Sequence, residues 1–358
     1  MTYTHGGNVY EIGRTLGIKG SELKDFSANI NPLGLCENVR AAMIKAIDKI
    51  TKYPDITYYE VKKAICDYDN LDLENLILGN GAAEVIFNVT RAIKPKKALI
   101  PAPTFSEYED ACKSIDCNVQ YYFLNKENNF HLEEDFLNKI NEDIDILFIC
   151  NPNNPTGVLT EKSFIEKVLK KAEEKSVYVV VDESFLDFVK NGQEYSVLDQ
   201  CENFKNLIVI KSATKFFAVP GIRIGYGYSK NNDFLNKINK ITVPWSINTI
   251  ACDGLVVALK EKDYIEKTID FIDYEKEYLY TNLKSIDKIE PLKPAVNFIM
   301  FKVNNDINLY DELLKENIVI RRCGNYKNLS DNYYRVAVRT REENDILTAN
   351  LKRIMEAK

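Results

Sequence analysis

Through the middle of the chain, short runs that are apolar almost from end to end alternate with stretches whose apolar residues recur at helical spacing. The runs cover residues 98–101, 118–123, 144–150, 177–181, 207–211 and 222–228. A strand apolar along its whole length has both faces buried, so it belongs in a sheet covered on two sides. Between the runs, residues 162–172 set Phe164, Ile165, Val168, Leu169 and Ala172 on one helical face. Strand and helix in alternation predict an α/β fold with a mostly parallel sheet flanked by helices. In such sheets ligands gather at the carboxyl ends of the strands, and chemistry is to be sought there.

After Tyr228 the pattern changes. A helical region over about 247–283 has few breakers; strands follow at 297–303, 318–322 and 333–338, then a last helix from about Arg341. This predicts a smaller α+β domain. The expected division is an N-terminal segment, 1–45, packing with the small domain, a large domain, 46–260, and a small C-terminal domain, 261–358. A chain of 358 residues suits one large and one smaller unit.

Charge narrows the partners. With 47 basic and 53 acidic residues the net charge is -6, which argues against nucleic acid as the main partner and leaves room for a local basic pocket. The eight cysteines (Cys36, Cys66, Cys112, Cys117, Cys150, Cys201, Cys252 and Cys323) include no C-x-x-C pair. They read as free thiols of a reducing compartment. Two histidines and no short ligand spacing argue against a structural metal site. Residues 1–8 lack the basic start and apolar core of a signal peptide, and no apolar run approaches the roughly 20 residues of a membrane helix. The expectation is a cytoplasmic protein with no membrane partner.

Five segments after strands or turns stand out. Lys211-Ser212-Ala213-Thr214-Lys215 follows an apolar run. A lone lysine there would be a surface residue, but Ser212 and Thr214 add hydroxyls, and Arg223 follows within Gly221-Ile222-Arg223-Ile224-Gly225. Hydroxyls and a guanidinium beside a lysine suit a phosphate next to a nucleophilic amine. Val179-Val180-Val181-Asp182 ends a valine run in a carboxylate, which is costly to bury without a partner; a helix N-cap is the competing reading. Asn151-Pro152-Asn153-Asn154-Pro155-Thr156-Gly157 is a rigid turn that can aim Asn154. Gly79-Asn80-Gly81-Ala82-Ala83 is a glycine turn opening a helix, where the Ala82 and Ala83 N–H groups can take phosphate. In Pro103-Thr104-Phe105, Phe105 stacks on a ligand ring or packs in the core.

In this order and spacing the five segments resemble the class I/II (fold type I) aminotransferase superfamily across nearly the whole chain. The resemblance implies a seven-stranded domain binding pyridoxal 5'-phosphate and an obligate homodimer with sites at the interface. It makes Lys215 the Schiff-base lysine, Asp182 the partner of the pyridine nitrogen and Asn154 the partner of the ring oxygen. Phe105 becomes the ring-stacking aromatic. Ser212, Thr214, Arg223 and the Ala82–Ala83 turn become phosphate ligands, joined by Tyr53 from the neighbouring subunit.

Two subfamilies fit: the histidinol-phosphate aminotransferases and the L-threonine-O-3-phosphate decarboxylases of cobalamin synthesis. Both take a small amino substrate carrying a phosphate. His5-Gly6-Gly7-Asn8, the stretch 25–34, Pro244-Trp245-Ser246-Ile247-Asn248, the stretch 320–326 and Tyr333-Tyr334-Arg335-Val336-Ala337-Val338-Arg339 resemble the decarboxylases. Phe185 stands where the aminotransferases carry a tyrosine. The decarboxylase reading is therefore preferred, with the aminotransferase as the alternative. It implies that Arg335 binds the substrate carboxylate, and that Arg321, with His5, Asn31 and Arg339, binds the substrate phosphate. The bland alternative puts the three arginines on a solvent-facing edge strand and leaves His5 idle near a terminus.

Overall fold

The computed structural model describes residues 5–357; residues 1–4 and 358, where the expected N-terminal and C-terminal segments begin and end, lie outside the described residues. After a short outlying strand, β1 (Lys24–Asp25), come the strands of a seven-stranded sheet. They are β2 (Leu76–Gly79), β3 (Lys97–Ala102), β4 (Asn118–Phe123), β5 (Ile146–Cys150), β6 (Tyr178–Asp182), β7 (Leu207–Lys211) and β8 (Gly225–Tyr228). Their order across the sheet is β2-β8-β7-β6-β5-β3-β4. All neighbours from β7 to β4 are parallel, and β8 runs antiparallel to both β7 and β2.

The apolar runs form this sheet because their alternate residues enter two separate cores. Leu147, Ile149, Val179, Val181, Leu207 and Val209 pack on one face. Ile146, Phe148, Val180, Ile208 and Ile210 pack on the other. Neither face can turn to water, so the central strands sit mid-sheet, and their β-branched residues suit a pleated surface.

Two details differ from expectation. Strand β2 is four residues long beside a glycine turn, too short to show a periodicity. The run predicted at 222–228 starts only at Gly225, because Pro220–Ile222 forms a 3-10 turn and Arg223 takes a left-handed φ of 57°.

The second unit holds β9 (Ile289–Pro291), β10 (Phe298–Val303), β11 (Ile318–Val319), β12 (Arg321–Arg322) and β13 (Tyr333–Ala337). Four of these form an antiparallel sheet in the order β12-β13-β10-β9. The strand predicted over 318–322 divides at Ile320: β11 pairs in parallel with β1, while β12 pairs with β13. The Ala337 N–H also donates to the Phe26 carbonyl at 2.7 Å, fastening the N-terminal stretch to this sheet.

The helical region is likewise two helices, Thr249–Ala258 and Lys262–Lys284. At the corner, the Glu261 carboxylate accepts from the Asn38 amide at 3.1 Å. Asn248 caps the first helix, and Thr340 with Glu343 forms a capping box on Arg341–Glu356. All eight cysteines are free thiols. Among the described residues no helix is long and apolar enough to cross a membrane.

Candidate active site

Three of the segments singled out by sequence leave adjacent parallel strands at the same edge of the sheet. Cys150 and Asp182 are register partners at the ends of β5 and β6, and Asp182 lies opposite Ile210 of β7. The Asn151–Pro155 turn follows β5, and Lys215 sits in the single helical turn Ala213–Phe216 after β7.

Asp182 is buried. Its Oδ2 accepts from the Tyr108 hydroxyl at 2.7 Å and its Oδ1 from the Ser184 N–H at 2.9 Å. Burial, with Asp182 second, holds the Tyr108 phenol well above its ordinary pKa, so it stays a donor. Tyr108 stacks on Phe148 at 5.1 Å and meets Phe105 edge-on at 5.7 Å. It therefore links Phe105 to the buried acid.

The Lys215 amine has weak company. Its Nζ lies 3.3 Å from the Ser212 hydroxyl and 5.0 Å from the centre of the Phe185 ring. Burial pushes its pKa down; the Asp182 carboxylate opposes this, and the Arg223 and Arg335 guanidinium groups add to it. An amine held this way loses its proton more easily than a surface lysine and so becomes nucleophilic.

On one side of Lys215 the structure assembles an anion cup. The Ser212 and Thr214 hydroxyls are 3.0 Å apart. Gly81 has a φ of 92°, and a Cβ there would stand 2.4 Å from the Arg223 Nη2, so the guanidinium lies directly on the residue that opens helix Ala82–Ile93. Gly225 permits a second close approach, since its Cβ would meet the Ala82 nitrogen at 2.3 Å. The Ala82 and Ala83 N–H groups lie in the first turn of that helix, where backbone donors have no intrahelical partner.

On the other side lies a cavity of about 480 Å³, lined in part by His5, Asn29, Phe105, Asn154, Phe185, Lys215, Arg321 and Arg335. Both arginines are buried, which removes the solvent-facing reading. Arg335 donates through Nη1 to the Asn154 Oδ1 and through Nη2 to the Ser27 carbonyl at 2.8 Å, while its buried Nε has no partner. Arg321 donates to the Arg322 carbonyl and to the Asn325 Oδ1 at 2.8 Å, with its guanidinium 5.1 Å over the Tyr326 ring.

Two of the expected substrate residues, Asn31 and Arg339, do not line this cavity, and Tyr53, expected to serve the neighbouring subunit, lies apart from it. The Asn31 amide donates to the Phe216 carbonyl, the Tyr264 hydroxyl and the Thr268 hydroxyl at 2.8, 2.9 and 2.8 Å, so it ties the N-terminal stretch to the turn behind Lys215. Asn29, two residues earlier, faces the cavity instead, and its buried Oδ1 has no partner. Arg339 pairs with Glu343 at 2.9 Å. Tyr53 is 81% exposed and rests on Trp245, with ring centres 4.9 Å apart. Tyr108 and Asn29 were missed by sequence reasoning. Only a count of hydrogen-bond partners separates Asn29 from Asn31, and Tyr108 carries no signal beyond its place near Phe105.

Comparison with known proteins gives the following. Residues 21–351 match the family described as aminotransferase class I and II. A threonine-phosphate decarboxylase of Salmonella typhimurium is 32% identical over 352 residues, 98% of this chain and 96% of that protein. A histidinol-phosphate aminotransferase of Methanococcus aeolicus is 28% identical over 362 residues, 99% of this chain and 95% of that one. The crystal structure of a histidinol-phosphate aminotransferase from Clostridium acetobutylicum superposes with a TM-score of 0.88 at 34% identity, covering 94% of this chain and 100% of that one.

Proposed function

This chain belongs to the aminotransferase class I and II family, and on that premise we propose that it decarboxylates L-threonine O-3-phosphate to (R)-1-amino-2-propanol O-2-phosphate, with pyridoxal phosphate as cofactor. The residues present fit that group. A buried carboxylate with two fixed donors suits a cationic ring nitrogen. A partly buried, weakly paired amine suits an aldehyde, and the hydroxyl–guanidinium–helix cup suits a phosphate. Bound pyridoxal phosphate supplies an electron sink for a bond broken at the substrate α-carbon.

The chain's own residues do the rest. Asp182, held by Tyr108 and Ser184, keeps positive charge at the ring nitrogen. Asn154 has its Oδ1 taken by Arg335, which leaves its Nδ2 to donate to the ring oxygen. Phe185 brings no hydroxyl to that oxygen. Lys215 would hold the cofactor through its aldehyde and would supply a proton to the substrate α-carbon as a general acid. Arg335 binds the substrate carboxylate, and Arg321 with His5 binds its phosphate. Together they would fix how the substrate α-carbon is presented to the cofactor, and positioning of this kind carries large rate factors.

The observation that carries this reading is the pair of buried guanidinium groups on one cavity wall. L-threonine O-3-phosphate presents a carboxylate and a phosphate to them. The 34% match to the Clostridium structure favours a second reading, transfer of the amino group of histidinol phosphate to 2-oxoglutarate. We also propose a homodimer. Ile44, Ile47, Ile50, Tyr53, Ile56 and Val243 are at least half exposed, more apolar surface than a single copy leaves to water without use. In the dimer Tyr53 would reach the partner subunit's phosphate cup.

One paired assay tests the reaction. Purified protein with L-threonine O-3-phosphate should release carbon dioxide, and histidinol phosphate with 2-oxoglutarate should yield little glutamate. Glutamate without carbon dioxide would reverse the assignment.

A further inference from the structure

His5 approaches the cavity from the N-terminal stretch, and its Nε2 lies 3.2 Å from the Oε1 of Glu107. The two come from different units. Glu107 opens helix Glu107–Lys113, two residues after Phe105, beside the large sheet. The stretch carrying His5 is pressed against Ser27, next to β1. A Cβ on Gly6 would stand 2.1 Å from the Ser27 carbonyl oxygen. Gly7 takes a φ of 84° and donates its N–H to the Ser27 hydroxyl at 2.8 Å. That hydroxyl donates in turn to Asp25 at 2.6 Å, and the Ser27 carbonyl accepts from Arg335. Residues 5–7 thus form a strap that lines the cavity, shares Ser27 with Arg335 and is tied to Glu107 through His5.

An acidic side chain at the rim of a site for an anion needs a reason, because a bare carboxylate repels the ligand. Here the carboxylate is engaged by His5. We propose that Glu107 is a positioning residue for recognition of the phosphate end of the substrate, acting through His5; this rests on the reading that the substrate carries a phosphate. The ion pair with Glu107 restrains the His5 ring on the cavity that Arg321 also lines, where an imidazole can meet an anion. Burial raises the Glu107 carboxyl above its usual range, and His5 opposes that rise, as a paired carboxylate requires.

The chain has two histidines, His5 and His131, so the imidazole spectrum of the holoenzyme contains two sets of signals, and His131→Gln assigns them. The wild-type His5 signal should move when inorganic phosphate or L-threonine O-3-phosphate is added. In Glu107→Ala it should collapse toward that of an unrestrained histidine. KM for L-threonine O-3-phosphate should rise by roughly 5–10-fold, the loss expected for one ordinary hydrogen bond, with kcat changing less. Glu107→Gln, which keeps a side-chain oxygen in the same place without the charge, should recover part of the KM. A His5 signal identical in wild type and Glu107→Ala, or an unchanged KM in Glu107→Ala, overturns the proposal. A His5 signal that answers inorganic phosphate only through Glu107, in a protein that releases no carbon dioxide, leaves the Glu107 role standing and removes the decarboxylase reading.

Discussion

Lys211 and Lys215 are four residues apart at the end of one strand, and both have aspartates for neighbours, yet they are electrostatic opposites. Lys211 is held between the Asp69 Oδ1 at 2.9 Å and the Asp187 Oδ1 at 3.0 Å. Burial pulls its pKa down, but Asp187 and Asp69 together outweigh burial and lift it well above the ordinary lysine value. Lys215 is also penalised by burial, and there Asp182 does not make up the difference. Asp182 is already committed to Tyr108 and Ser184, and no carboxylate closes on the amine. A lysine whose charge is matched on two sides is a fixed structural cation. One left short of partners is available for bond formation.

The sharpest way to break this contrast is to remove each lysine in turn. Lys215→Ala should fold normally, lose the visible absorbance that the aldehyde acquires on joining an amine, and lose turnover by at least ~10²-fold, since general acid catalysis alone contributes that much. An unchanged spectrum would refute the assignment of Lys215. Lys211→Ala leaves two buried carboxylates facing each other without their cation. Its cost should be about 3–5 kcal/mol in urea unfolding, the range for breaking a buried pair from one side. Whatever fraction stays folded should keep the absorbance. A Lys211→Ala protein as stable as wild type would mean that the Asp69–Lys211–Asp187 cluster does not hold the strand end.

This pair also marks how far the sequence can be read. Asp182 stood out in the sequence because a carboxylate that ends an apolar run is anomalous and invites a chemical reason; Lys215 stood out only through the hydroxyls of Ser212 and Thr214, the nearby Arg223 and the family resemblance. The central strands were legible because both their faces are apolar. The choice between Lys211 and Lys215 turns on Asp69, 142 residues earlier in the chain, and no local pattern reports a partner at that distance. Asn29 and Asn31 pose the same problem: equal chemistry two residues apart, separated only by which one Phe216, Tyr264 and Thr268 already occupy. Arg321 and Arg335 looked like candidates for an edge strand. β13, however, runs between β10 and β12, and it is this enclosure that turns Arg335 into a buried cation.

The smallest effect concerns a third acid beside the Lys211 cluster. Glu183 is buried, accepts from the Val197 N–H and the Ser196 hydroxyl at 2.8 Å each, and is pushed up to about 7 by burial, with Lys211 opposing. Lys211 already faces two aspartates, so a further ionised carboxyl gains little from it. In the unfolded chain Glu183 ionises near its ordinary value of 4.5. Between about pH 4.5 and 7 the folded state therefore binds more protons than the unfolded state, and its stability falls as pH rises through that window. Glu183→Gln keeps the acceptor for Val197 and can donate to Ser196, but it has no proton to lose. The stability of wild type relative to Glu183→Gln should be greatest below about pH 4.5, still substantial at pH 5 and lost by pH 8, the decline between pH 5 and 8 being at most about 3 kcal/mol. Urea midpoints at the two pH values measure the difference. Curves that stay parallel would mean that Glu183 is ionised in the fold, and that Lys211 supports three carboxylates rather than two.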